Sequence, residues 1–153
     1  MAQNIISKEV QAELFEKALS ARDGSYSPYS KFRVGAALLT EDGIFYQGAN
    51  IENASYGAAI CAERTAYVKA VSEGHKKFKA LAVSTDQDDF VSPCGICRQF
   101  ISEFGPASLP VYLLNTKAEY QALTLGELLP HSFALEQGQK YLIEKLQDNK
   151  DRM

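Results

Sequence analysis

A chain of 153 residues is long enough to bury one sizeable core without disulfide help, and its 46% hydrophobic and 23% charged residues are ordinary for a soluble globular protein. The formal net charge of -3, with no block of Lys or Arg, gives no field for gathering polyanions and argues against a nucleic-acid polymer as partner. No apolar run approaches about 20 residues, and the opening "MAQNIISKEV" has neither the basic start nor the apolar stretch of a signal peptide, so a cytoplasmic protein without a membrane partner is expected.

In residues 7–21, "SKEVQAELFEKALSA", Val10, Leu14 and Ala18 recur every fourth position behind a Ser7 cap, which predicts an amphipathic helix. The loop "YSPYSKF" follows. The runs "FRVGAALLT" and "IFYQGAN" around Asp42 and Gly43 then predict a β-hairpin. A second helix should begin near Cys61, because "CAERTAYVKAVSEG" puts Ala62, Ala66 and Ala70 on one face and closes with Gly74 just past its end. Such small faces imply close packing on a sheet. "KALAVST" and "PVYLLN" read as strands, and "SPCGICRQFISEFGP" between them as a third helix. There Ser92 is the expected cap, Pro93 the first helical residue, and Ile96, Phe100 and Phe104 the apolar stripe. "EYQALTL" is a weak strand signal and "GELLP" a helical turn; "LEQGQKYLIEKLQDNKDRM" predicts a further helix that frays in polar residues. Strand-helix-strand order after an initial hairpin predicts a mixed sheet sandwiched by helices.

The chemistry centres on three cysteines, an odd number that argues against a disulfide framework. Cys61 and the Cys94/Cys97 pair fall at the starts of two different helices, where unpaired N–H groups and the helix dipole favour a thiolate. Two helix starts meeting at one sheet edge would bring all three sulfurs together, filling three corners of a tetrahedron and leaving the fourth open to water. Glu63, two residues after Cys61, is either a favourable charge at a helix start or a proton carrier leaning toward that open corner. Other readings stand beside these. Cys94 and Cys97 alone fit a thioredoxin-like redox pair, and a closed structural zinc site would need His75 or His131 as fourth ligand, neither at a familiar spacing.

Cys61-Ala62-Glu63 followed by Pro93-Cys94-Gly95-Ile96-Cys97 matches the pattern of zinc-dependent nucleobase deaminases in their three-cysteine form. With the blocks "YSPYSKFRVGAAL", "GANIENASY", "CAERTA", "SPCGICRQF" and "GELLPHSF", the sequence resembles the cytidine deaminases, in particular the small three-cysteine type that assembles as a homotetramer. The resemblance runs over roughly residues 26–133. It implies a three-layer α/β/α sandwich with a mixed five-stranded sheet, one catalytic domain over residues 1–153, and a C-terminal extension, residues 134–153, of unassigned structure.

The resemblance also implies roles. Cys61, Cys94 and Cys97 would hold one zinc ion per subunit, with Glu63 as proton shuttle and Arg64 donating to a thiolate to offset the negative charge of a three-thiolate site. Phe32 would pack on the pyrimidine, Asn50 and Glu52 would hold ribose hydroxyls, Ala62 would contact substrate, and Phe133 would reach a neighbouring subunit's site. The implied reaction is hydrolytic deamination of cytidine and deoxycytidine to uridine and deoxyuridine with release of ammonia, a step of pyrimidine salvage. A deaminase of cytosine nucleoside antibiotics of the blasticidin S type shares the zinc signature, and a noncatalytic zinc-stabilised interaction module is the reading from a different class. The short "GAAI" segment before Cys61 carries no substrate preference.

Overall fold

The computed structural model describes residues 6–151; the opening "MAQNI" and the last two residues of the predicted fraying end lie outside the described residues. The elements in chain order are α1 (Lys8–Ala21), β1 (Val34–Thr40), β2 (Phe45–Ala49), α2 (Ala62–Ser72), β3 (Phe78–Thr85), α3 (Gly95–Phe104), β4 (Pro110–Leu114), β5 (Tyr120–Thr124), α4 (Leu125–Leu128) and α5 (Leu135–Asp151). The strands form one five-stranded sheet in the order β2-β1-β3-β4-β5. β1 is antiparallel to both β2 and β3, β3 is parallel to β4, and β5 returns antiparallel at the edge. Helices on both faces make it the expected three-layer α/β/α sandwich.

The near-continuous apolar run of β1 is explained by burial on both sides. Ala36 and Leu38 face a core built with α2 and α3, including Ala62, Ala66, Cys97 and Ile101. Ala37 and Leu39 face the opposite core, where Leu14 and Ala18 of α1 pack. Ser7 caps α1 through its side-chain oxygen, 3.2 Å from the Val10 N–H. Ala62, Ala66 and Ala70 are fully buried, and this small-residue face lets α2 lie directly on Gly48 of β2. Gly74 takes φ +99° just past α2, the left-handed conformation that ends a helix. The weak signal of β5 reflects its place at the sheet edge, with Tyr120, Gln121 and Ala122 exposed.

Two expectations are corrected around α3. The helix begins at Gly95 with Cys94 as its cap, so Ser92 is not the cap and Pro93 not the first helical residue. Arg98 explains the difference: its guanidinium donates to Ser92 Oγ, the Pro93 carbonyl and the Leu128 carbonyl, holding the approach to the helix extended. Nor is Ile96 part of the buried stripe, being 66% exposed; the inward face carries Cys97 and Ile101, with Phe100 and Phe104 packed against the core. Phe100 and Phe104 of the expected stripe do pack inward, whereas Ile96, in the first turn, falls outside the face that Cys97 and Ile101 bury.

Among the described residues no helix is long and apolar enough to cross a membrane. The predicted C-terminal helix is present as α5, with Leu135, Leu142, Ile143 and Leu146 exposed.

Candidate functional site

Because β1 is antiparallel to both β2 and β3, the latter two run in the same direction. α2 follows β2 and α3 follows β3, so both helices start at one edge, the carboxyl ends of those strands, where α/β sheets collect their ligands. This topology brings Cys61, Cys94 and Cys97 together, with their sulfurs all within 4.8 Å of one another.

Cys61 caps α2 and Cys94 caps α3, yet neither side chain bonds a helix N–H as a Ser or Asp cap would. The sulfurs meet each other instead, Cys61 Sγ and Cys94 Sγ being 3.7 Å apart. Four ligands around zinc at a Zn–S length of about 2.3 Å have an S–S edge of about 3.8 Å, so this pair stands at the separation such an ion requires. Packed thiolates repel, and a dication among them is what allows all three to ionise together. The Cys97 thiol beside it, aided by Arg64, pulls Cys61 down to about 5, whereas Cys97 is pushed up by Cys61, by burial and by the Glu63 charge. The donor set therefore fits zinc. Neither histidine belongs to the cluster: His75 stands beside Asp42 and Tyr46, and His131 follows α4.

Glu63 is only 4% exposed, and its Oε2 accepts from the Cys97 thiol at 3.8 Å. Burial, the largest influence, raises its carboxyl to about 7. Arg64 Nη2 donates to Cys61 Sγ at 3.5 Å, the contact expected to offset thiolate charge. Arg64→Ala should accordingly lose zinc to a chelator about tenfold faster, or bind it about tenfold more weakly, as outer partners of metal ligands typically do. A metal-competition titration checks this, and unchanged retention together with unchanged turnover would remove Arg64 from the site.

The cluster opens into a cavity of about 610 Å³, a size suited to a small-molecule ligand. Phe32, Asn50, Glu52, Cys61, Glu63, Arg64 and Cys94 are all in its lining. Asn50 and Glu52 also build the loop that carries Phe32. Asn50 Oδ1 accepts from Val34 N and Ser25 Oγ, and its Nδ2 donates to the Phe32 carbonyl. Glu52 accepts from the backbone N–H groups of Tyr29 and Ser30 and from Ser30 Oγ, bonds that hold its carboxyl below the usual range. Ala62 is fully buried, packed in the core and outside the cavity lining, so the structure does not bring it to the site as a substrate contact. Phe133 is 63% exposed and outside this chain's cavity.

Sequence reading missed Val83 and Thr85 in the cavity wall, as well as Tyr56 and Ile96. The position of Thr85 at the carboxyl end of a strand was the available signal.

Three clustered cysteines with a buried, non-ligating glutamate beside them define the zinc-dependent deaminase class. Residues 8–113 match the family described as "Cytidine and deoxycytidylate deaminase zinc-binding region". A cytidine deaminase of Sporosarcina psychrophila is 54% identical over 124 residues, which are 81% of this chain and 91% of that protein. A probable cytidine deaminase of Dictyostelium discoideum is 45% identical over 132 residues, 86% of this chain and 88% of that one. The crystal structure of cytidine deaminase from Burkholderia pseudomallei superposes with a TM-score of 0.78 at 42% identity, covering 84% of this chain and 100% of the other. The chain belongs to the cytidine deaminase family.

Proposed function

We propose that this protein deaminates cytidine and deoxycytidine hydrolytically, giving uridine or deoxyuridine and ammonia, as a step of pyrimidine salvage. The observation that carries the proposal is the buried Glu63 carboxyl against a three-cysteine cluster at the floor of a nucleoside-sized cavity.

Cys61, Cys94 and Cys97 hold one zinc ion per subunit in this reading. When bound, the ion supplies Lewis-acid activation of water for attack on C4 of the pyrimidine. Glu63 takes one proton from that water and gives it to N3, then takes the water's second proton from the oxygen now on C4 and delivers it to the departing amino group, so that water and cytidine balance uridine and ammonia. Phe32 offers a ring face to the base, and its loop sets how deeply the base enters.

The ribose end follows from hydrogen-bond capacity. The three bonds Glu52 accepts leave one lone pair of its carboxylate, and Asn50 keeps one N–H of its amide, an acceptor and a donor for a sugar hydroxyl. Among the described residues the only cation in the lining, Arg64, is turned to Cys61, whereas Glu52 and Glu63 are acidic, which supports a nucleoside over a nucleotide. Exposed Phe133 supports a homotetramer in which that ring enters a neighbouring subunit's site.

The test is incubation of zinc-loaded protein with cytidine, deoxycytidine, cytidine monophosphate and blasticidin S. Uridine and ammonia in equal amounts, lost on chelation and restored by zinc, are expected from the two nucleosides. Absence of product from a zinc-bound tetramer would overturn the assignment, and turnover of blasticidin S alone would move it to the antibiotic.

A further inference from the structure

Phe32, Val34, Val83 and Thr85 line the cavity, alternate residues of β1 with its approach and of β3. Alternation in a strand sends the intervening residues to the other side of the sheet. Arg33 and Asp86 are outside the cavity lining, and Asp86 is bonded to Arg22 at the end of α1 on that other side. The β1–β3 ladder ends at the pair Val34 and Thr85, so Arg33 and Asp86 occupy what would be its next rung.

Side chains make the rung that the backbone does not. Arg33 donates to both carboxylate oxygens of Asp86, from Nε at 2.8 Å and from Nη2 at 3.0 Å, and its Nη1 donates to Asp23 at 3.0 Å. Arg22, at the end of α1, donates from Nη1 to the same Asp86 at 3.2 Å and to the Thr85 carbonyl at 3.1 Å. A paired fork of this kind fixes orientation as well as distance. Asn50 ties the Phe32 loop to β2 on one side; the arginine–aspartate bridge ties it to β3 on the other.

We infer that Arg33, Asp86 and Arg22 form a positioning device that sets the Phe32 ring against β3 and so tunes how tightly the cavity holds its base. The inference rests on the cytidine reading above. The Asp86 carboxyl is held below its usual range, chiefly by the Arg33 hydrogen bond, so the bridge is ionised near neutral pH.

Arg33→Gln and Asp86→Asn, singly and together, test it. KM for cytidine should rise about 5- to 30-fold with kcat nearly unchanged, because a misplaced wall weakens substrate and transition state alike. The double variant should be no worse than Asp86→Asn alone, as coupled partners are. Arg33→Lys should recover only part of the loss, since it keeps the charge and not the fork. The chain has no tryptophan, so Phe32→Trp places one reporter at the ring in question. In that background Arg33→Gln should make the indole more accessible to a collisional quencher, with zinc content unchanged. Quenching reads the bridge even in a protein that does not turn over cytidine, which separates failure of this inference from failure of the function. Unchanged KM and quenching would reduce the bridge to a surface ion pair, and a parallel fall of kcat, zinc content and melting temperature would make it generally structural; either overturns the proposal.

Discussion

Replacing Glu63 by glutamine should lower cytidine turnover by about 100- to 10,000-fold, the usual contribution of a positioned proton-transfer group. The amide has the same shape and fills the same space, but cannot carry a proton between water, N3 and the leaving amine. Two opposing effects act on the native carboxyl. The start of α2 favours its charge, whereas near-complete burial opposes it and is the stronger, raising the group to about 7. A dication in the neighbouring cluster would draw the value back down. Glutamine carries no charge to bury, so Glu63→Gln should keep its zinc and unfold at no lower denaturant concentration than the native protein. Metal analysis, denaturant titration and steady-state kinetics on one preparation separate these effects. Turnover within a fewfold of the native rate would remove Glu63 as shuttle and leave its burial unexplained.

How legible the site was depended on how strongly chemistry restricts residue type. Zinc demands thiolates or imidazoles at spacings a helix start can present, so Cys61, Cys94 and Cys97 stood out with Glu63 between them in the motif. The hairpin and the alanine face of α2 were readable because turn chemistry and small-residue periodicity are local. Ser92-Pro93 also resembles a helix start locally. The Arg98 clamp that keeps those residues extended reaches across to Leu128, and no local pattern contains that contact. Arg33 and Asp86 are likewise remote in sequence and become partners only because the β1–β3 register ends beside them. The double use of Asn50 and Glu52, as loop struts and cavity lining, was hidden for the same reason: a polar residue at a strand end does not disclose which backbone it will serve.

The seating of α2 leads to a second large effect. A methyl group at Gly48 would stand 2.4 Å from both the Ala62 carbonyl oxygen and the Ala66 nitrogen. Those are backbone atoms of a helix already packed through buried alanines, so neither can yield unless the helix lifts from β2. Gly48→Ala should therefore cost roughly 3 kcal/mol, the upper part of the ordinary overpacking range. For a chain of this size that lowers the melting temperature by about 6–12 °C. The same movement displaces Cys61 and Glu63 from the α3 cysteines, so zinc affinity and turnover per folded molecule should fall as well. Gly35→Ala is the comparison: its methyl would lie 2.4 Å from the Ala18 carbonyl oxygen and 2.6 Å from the Arg22 nitrogen, against α1 on the opposite face. It should destabilise to a similar extent while the folded fraction keeps its zinc. Equal zinc loss in both variants would mean that metal binding follows overall stability, and an unperturbed Gly48→Ala would mean that α2 can leave the sheet without moving the site.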